Sequence, residues 1–156
     1  MHSCWYVHRD IKPGNFVIGL GKTINTIYLI DYGFSKKYKA TRTGKHISYR
    51  DNKNFTGTVR YASLNTHLGI EQTRRDDIES LGYLLVYFMR GTLPWQGLRS
   101  NASANKYECV FKSKVSISVQ NLCHDLPGIR CISMISGIRK IDQVFEGAQV
   151  WSEAGL

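Results

Sequence analysis

The chain has 156 residues, of which 42% are hydrophobic and 21% are charged. This length and this balance favour one globular domain over a multidomain assembly or a disordered chain. No run of 18 apolar residues occurs, so we expect neither a membrane span nor a membrane partner.

The net charge of +9 is concentrated in the first two-thirds of the chain. Residues 1–107 hold 16 Lys and Arg residues against 7 Asp and Glu residues, whereas the two signs balance in residues 108–156. Residues 42–60 are the densest basic stretch. Such a stretch attracts phosphate groups on nucleic acids or on acidic and phosphorylated proteins, or it is only a solvated face that aids solubility.

Four cysteines lie too far apart along the chain to form a CxxC metal site or a dense disulfide framework: Cys4, Cys109, Cys123 and Cys131. Residues 1–5 also lack the basic and apolar regions of a signal peptide. We therefore expect a reducing compartment, which is the cytoplasm, the nucleus or both.

Two short apolar runs open the predicted secondary structure. Residues 16–19 and 27–30 read as a pair of strands around the turn residues 21–23. Residues 32–66 are rich in polar residues and lack periodicity, which predicts a long loop, and loops of this length are usually functional.

A long helix is predicted from Asp76 through Met89, with Gly91 and then Pro94 as its C-terminal stop. Its apolar stripe is formed by Ile78, Leu81, Leu84, Leu85 and Phe88 and is broadened by Tyr83, Val86 and Tyr87. Residues 110–119 alternate weakly, and residues 127–156 show only short apolar runs, so this tail is weakly specified.

Two motifs are separated by the predicted strand pair. Residues 8–15 read HRDIKPGN and residues 31–33 read DYG. The tripeptide alone is an ordinary turn sequence. Together, in this order and around this strand pair, the two motifs resemble the catalytic loop and the metal-binding turn of protein kinases.

The kinase resemblance implies a role for each motif residue. Asp10 orients the attacking hydroxyl, and Lys12 offsets charge on the γ-phosphate of ATP. Asn15 and Asp31 hold Mg²⁺, which prefers oxygen ligands. Lys12 stands two residues after Asp10, as in serine/threonine kinases. The resemblance gives His8, Arg9, Thr58 and Asp77 structural roles, with Thr58 near Asp10 and Asp77 anchoring the backbone of the catalytic loop.

A narrower resemblance is to the casein kinase I family. Residues 53–65 read KNFTGTVRYASLN, and Ser63-Leu64-Asn65 stands where that family has Ser-Ile-Asn and most kinases have Ala-Pro-Glu. The match runs from about Val7 to Glu108. It implies a mainly α fold, that of a kinase C-terminal lobe with a short β-hairpin. Residues 1–108 form the partial kinase domain, and residues 109–156 form a divergent tail.

Casein kinase I enzymes favour acidic or already phosphorylated protein substrates. The residues that match their anion site are Lys53, Arg60, Gly97 and Lys106. The resemblance therefore implies that the basic stretch recognises acidic or phosphorylated partners. Specific nucleic-acid binding has only charge in its favour, because no recognition helix or aromatic stacking platform accompanies it.

Only seven residues precede His8. The glycine-rich loop, strand lysine and helix glutamate of a kinase N-terminal lobe are therefore expected to be missing, and the chain alone is expected to be inactive. Two interpretations follow from the residues: a casein kinase I-type serine/threonine kinase that is truncated, or a non-catalytic, pseudokinase-like fragment that binds phosphopeptides or partners.

Overall fold

Helices dominate the regular structure of the computed structural model, which describes residues 1–98, 105–124 and 126. Within those residues lie four α-helices and four short strands, in agreement with the predicted mainly α fold. The helices are α1 (Leu64–His67), α2 (Arg74–Arg90), α3 (Lys106–Ser116) and α4 (Val119–Leu122). The strands are β1 (Tyr6–Val7), β2 (Phe16–Ile18), β3 (Ile27–Leu29) and β4 (Lys36–Lys37).

The predicted strand pair is confirmed. Strands β2 and β3 are antiparallel, with Phe16 opposite Leu29 and Ile18 opposite Ile27. A single 3₁₀ turn at Gly21–Thr23 lies in their connection. The prediction of a long loop over residues 32–66 is wrong in part, because β4 pairs with β1 and helix α1 lies at the end of that stretch. Two-residue strands are too short to show alternation in the sequence.

Helix α2 begins at Arg74, two residues before the predicted start. The reason is local capping. The backbone N–H of Thr73 donates to the Asp76 carboxylate at 2.7 Å, so Asp76 belongs to the first turn and closes it. The predicted stop is confirmed: Gly91 follows the helix with a φ of 74°, a left-handed conformation that glycine adopts without strain.

The buried face of α2 differs from the predicted apolar stripe. Phe88 is 59% exposed, and Ile78 and Leu85 are only half-buried. Tyr83, Leu84 and Val86 of the predicted stripe are buried, but three carboxylates outside it are buried as well: Asp76, Asp77 and Glu79. This difference arises because the carboxylates receive hydrogen bonds from neighbouring segments, which compensate for their burial.

Helix α3 continues the packed structure beyond residue 108. Val110 of α3 and Val119 and Leu122 of α4 join the core around Tyr83 and Trp95. The predicted domain boundary at 108/109 thus lies inside a helix, and the boundary stays a prediction. Residues 127–156 lie outside the described residues. Of the described helices, none has the length and apolar character needed to cross a membrane.

Candidate active site

The loop between β1 and β2, residues 8–15, carries the first predicted motif and is called the Asp10 loop below. Arg9 has a φ of 69°, which reverses the chain directly before Asp10. Pro13 opens a 3₁₀ turn that ends at Asn15, where the fixed φ of proline suits the first position. The two turns bring Asp10, Lys12 and Asn15 close together.

Asp10 is the centre of this arrangement and is only 3% exposed. Its Oδ2 accepts a hydrogen bond from Lys12 Nζ at 2.6 Å, and its Oδ1 accepts one from the Thr58 hydroxyl at 2.6 Å. Asn15 Nδ2 donates to the Asp10 backbone oxygen at 2.8 Å and lies 3.4 Å from Oδ2. The structure therefore joins Thr58 to the loop across 48 residues of sequence.

The electrostatics keep this carboxylate ionised. Burial by itself would raise the pKa of Asp10, but the hydrogen bonds from Lys12 and Thr58 and the positive charge of Lys12 outweigh it. Asn15 adds a smaller effect in the same direction, and the pKa of Asp10 ends below its ordinary value. A charged carboxylate is the form that can accept a proton or orient a hydroxyl.

We expect Thr58→Val to raise the pKa of Asp10, because the variant removes a hydrogen bond to the charged form. The pKa of Asp10 is lower in the folded state than in the unfolded chain, so ionised Asp10 stabilises the fold at pH values above the unfolded pKa of about 3.9. This stabilisation is lost as the pH falls through the folded pKa. A carboxyl ¹³C NMR titration measures the shift. Thr56→Val is the control, because the Thr56 hydroxyl bonds to Asn54. An unchanged Asp10 titration in Thr58→Val would contradict the assignment.

The second motif is fixed to the Asp10 loop through its backbone. The N–H of Ile30 donates to the Asn15 carbonyl at 2.9 Å, and His8 Nε2 lies 3.1 Å from the Ile30 carbonyl. Asp31 follows with a φ of 63° and an exposed side chain whose Oδ1 accepts from the Gly33 N–H at 3.3 Å. His8 is fully buried and therefore supports the turn from inside.

Asn15 and Asp31 have the chemistry of magnesium ligands. The Asn15 side chain donates through Nδ2 to the backbone and carboxylate oxygens of Asp10, so its Oδ1 is the atom that a cation would use. Asp31 supplies an exposed carboxylate from the neighbouring turn. An amide oxygen and a carboxylate are the hard donors that Mg²⁺ prefers, and these residues fit the ion.

Asp77 ties the Asp10 loop to helix α2. Its two carboxylate oxygens accept the backbone N–H groups of His8 at 2.8 Å and Arg9 at 2.9 Å, and His2 Nε2 lies 2.8 Å from Oδ2. The Arg9 side chain donates from Nε to the Phe34 carbonyl at 2.6 Å. The loop is thus held by helix α2 on one side and, on the other, by residues 31–34, which are called the Asp31 turn below.

Gly57 allows the Thr58 segment, defined as residues 57–62, to lie against the Asp10 loop. Its φ is 103°, and a Cβ at this position would stand 2.3 Å from the Arg9 carbonyl oxygen. Only glycine fits here, because it has no Cβ to clash and adopts a positive φ without strain. The close approach is what brings the Thr58 hydroxyl to Asp10.

A comparison with protein families agrees with this geometry. The family model described as protein kinase domain matches residues 1–141. The chain belongs to the protein kinase domain family. That family generally uses ATP and Mg²⁺, and the matched residues include the Asp10 loop, the Asp31 turn and helix α2.

Within the described residues, the predicted anion-site residues do not all lie together, because Lys53 lines a cavity that the other predicted members do not line. Lys53 and Lys36 contact the same Glu71 Oε2, at 3.5 and 2.8 Å, and with Arg9 they line a cavity of about 370 Å³ that we call the Lys53 cavity. Arg60 and Lys106 are exposed, and Gly97 lies in a turn with a φ of 70°. In the described part of the chain, the other predicted members do not line this cavity: Arg60, Gly97 and Lys106.

Sequence reasoning missed Glu71 and Lys36 in this cavity. Burial would raise the pKa of Glu71, but the hydrogen bond and charge of Lys36, with help from Lys53, hold it below its ordinary value. Glu71 therefore stays ionised between two lysines. No local pattern signals this arrangement, because Lys36 and Glu71 are 35 residues apart.

Proposed function

We propose that this kinase domain is a C-terminal lobe of casein kinase I type that phosphorylates serine or threonine in acidic or already phosphorylated proteins. One observation carries the proposal: the buried, ionised Asp10 lies within 2.6 Å of both the Lys12 ammonium group and the Thr58 hydroxyl. The Lys12 position and the Thr58 contact both match the serine/threonine class.

The chain's own residues supply the parts of phosphoryl transfer that depend on positioning. Asp10 accepts a hydrogen bond from the attacking hydroxyl and takes its proton as the hydroxyl oxygen bonds to the γ-phosphorus of ATP and the bond from that phosphorus to the leaving ADP oxygen breaks. Lys12 then faces the transferred phosphoryl group, whose charge it offsets. Asn15 and Asp31 would hold Mg²⁺, which neutralises phosphate charge when it is bound.

Substrate choice would depend on the basic side chains of the predicted anion site. Arg60 and Lys106 are exposed and able to meet an anionic peptide, and Gly97 belongs to the same predicted site. Lys53 contributes from its own cavity beside Glu71. The proposed partners are acidic or phosphorylated proteins of the cytoplasm or nucleus. Each hydrogen bond between such a protein and a charged side chain contributes about 1.5–3 kcal/mol, which is enough to favour these substrates.

The test is a chimera that places a casein kinase I N-terminal lobe before Val7 and that family's C-terminal helices after Leu126. The lobe is needed in the assay because the family's ATP-gripping residues precede the stretch that this chain matches. We expect kcat/KM for a phosphoserine-primed peptide to exceed that for the unprimed peptide by about tenfold or more.

Arg60→Ala should remove most of that preference, whereas Arg42→Ala, at another exposed arginine, should leave it in place. If both variants lost the preference for the primed peptide equally, the basic stretch would act only as a diffuse charged face. Transfer to a basic peptide in preference to the acidic one would overturn the proposed substrate class.

The Lys53 cavity favours a second function, binding of phosphopeptides without catalysis. Three cationic side chains line the cavity together with one carboxylate, that of Glu71, so the cavity has an excess of positive charge: Lys36, Lys53 and Arg9. Calorimetric titration of the 156-residue chain with a phosphoserine peptide and its serine counterpart tests this function. Equal affinities for the two peptides would exclude it.

A further inference from the structure

Lys114 of helix α3 is fully buried, whereas the other charged residues of this helix are exposed. Its Nζ donates to the carbonyl oxygens of Val59 at 2.9 Å and Ala62 at 2.6 Å, and it lies 3.2 Å from His67 Nε2. An ammonium group has three N–H donors, and these three atoms supply an acceptor for each.

Two aromatic rings complete the surroundings of the ammonium group. The centroids of the Tyr83 and Trp95 rings lie 5.0 and 5.3 Å from Nζ, within the range of cation–π attraction. Trp95 also donates from Nε1 to the Arg60 carbonyl at 2.7 Å. Lys114 and Trp95 thus hold three carbonyl groups of the Thr58 segment.

His67 takes part as a neutral acceptor. Burial and then the charge of Lys114 lower the pKa of His67 to about 3, although a backbone hydrogen bond at Val59 opposes the shift. The imidazole is therefore uncharged near neutral pH, and its Nε2 can accept from Lys114 while the two side chains lie in contact.

The held carbonyl groups adjoin the residue that reaches Asp10. Val59 directly follows Thr58, and the Thr58 carbonyl accepts the N–H groups of Tyr61 at 2.9 Å and Ala62 at 3.0 Å. Any movement of Val59 or Ala62 therefore moves the turn that places the Thr58 hydroxyl.

We propose that Lys114 is a positioning residue of the kinase domain: from helix α3 it fixes the Thr58 segment and so sets the contact between Thr58 and Asp10. Lys114 touches no reacting atom and acts through the backbone of Val59 and Ala62. The geometric part of the proposal stands on these contacts, and only its catalytic consequence rests on the proposed function.

The test compares Lys114→Met with Lys112→Met in the 156-residue chain by amide hydrogen exchange. Lys112 lies in the same helix but is exposed and pairs with Glu108 at 2.6 Å. In Lys114→Met the amides of Tyr61 and Ala62 should exchange at least about tenfold faster than in the unaltered chain. This acceleration should exceed any acceleration at the Tyr83 and Leu84 amides of α2. Lys112→Met should leave all four unchanged.

Two further measurements separate positioning from a general loss of stability. The pKa of His67 should rise in Lys114→Met, because a neighbouring positive charge is removed. Trp95→Phe, which removes the bond to the Arg60 carbonyl and keeps an aromatic ring beside Lys114, should accelerate the same two amides to a smaller degree. Uniform acceleration across α2 and the Thr58 segment, or none at Tyr61 and Ala62, would overturn the proposal.

If Lys114→Met does not fold, the unaltered chain still provides a test. Slowly exchanging Nζ protons with couplings to the Val59 and Ala62 carbonyl carbons are expected, and their absence would contradict the proposal. None of these readouts requires phosphoryl transfer. A chimera that transfers no phosphate but shows the expected exchange pattern would therefore refute the proposed function and leave the positioning role intact.

Discussion

Asp10→Asn should lower the kcat of the chimera by about 10²–10⁴-fold, the usual contribution of a positioned general base. Asparagine keeps the shape of the side chain, but its single amide oxygen replaces only one of the two carboxylate oxygens that accept from Thr58 and Lys12. It lacks the negative charge that orients the attacking hydroxyl and accepts its proton. Because Asp10 acts on the reacting atoms, KM for the peptide should change little. Steady-state kinetics with a primed peptide measure both constants.

Asp51→Asn is the matched control, since Asp51 is an exposed aspartate outside the Asp10 loop. It should leave kcat within about twofold of the unaltered chimera, as surface substitutions usually have small effects. A near-normal kcat in Asp10→Asn would show that Asp10 is not the catalytic carboxylate and would remove the basis of the proposed function.

Asp77→Ala should lower the free energy of unfolding by about 2–6 kcal/mol, because it leaves two N–H groups of the Asp10 loop without their acceptor and each costs about 1–3 kcal/mol. The groups belong to His8, which is buried, and Arg9. Asp77→Asn keeps one acceptor oxygen and should cost roughly half as much. Urea unfolding of the 156-residue chain, followed by circular dichroism, gives both values.

Asp51→Ala again provides the control and should change the free energy of unfolding by less than about 0.5 kcal/mol. A loss below about 1 kcal/mol in Asp77→Ala would mean that water or another group satisfies the two backbone donors. In that case Asp77 would not be the anchor of the Asp10 loop.

The sequence alone determined the elements whose causes are local. Strands β2 and β3 follow from short apolar runs on either side of a turn, and the end of α2 follows from Gly91. Two of the residues gathered around Asp10 were also predictable, since Lys12 and Asn15 lie within five positions of it, whereas Thr58 comes from 48 residues away. Neighbouring residues interact whatever the rest of the chain does, so local patterns are sufficient here.

Tertiary structure alone decided which polar groups are buried. The sequence favoured an apolar stripe on α2, but the buried face contains Asp76, Asp77 and Glu79, because segments distant in sequence donate to them. Lys114 likewise belongs to no motif, and its acceptors are 52 and 55 residues away. A buried charge is tolerated only where its partners converge, and convergence over such distances is a property of the folded chain.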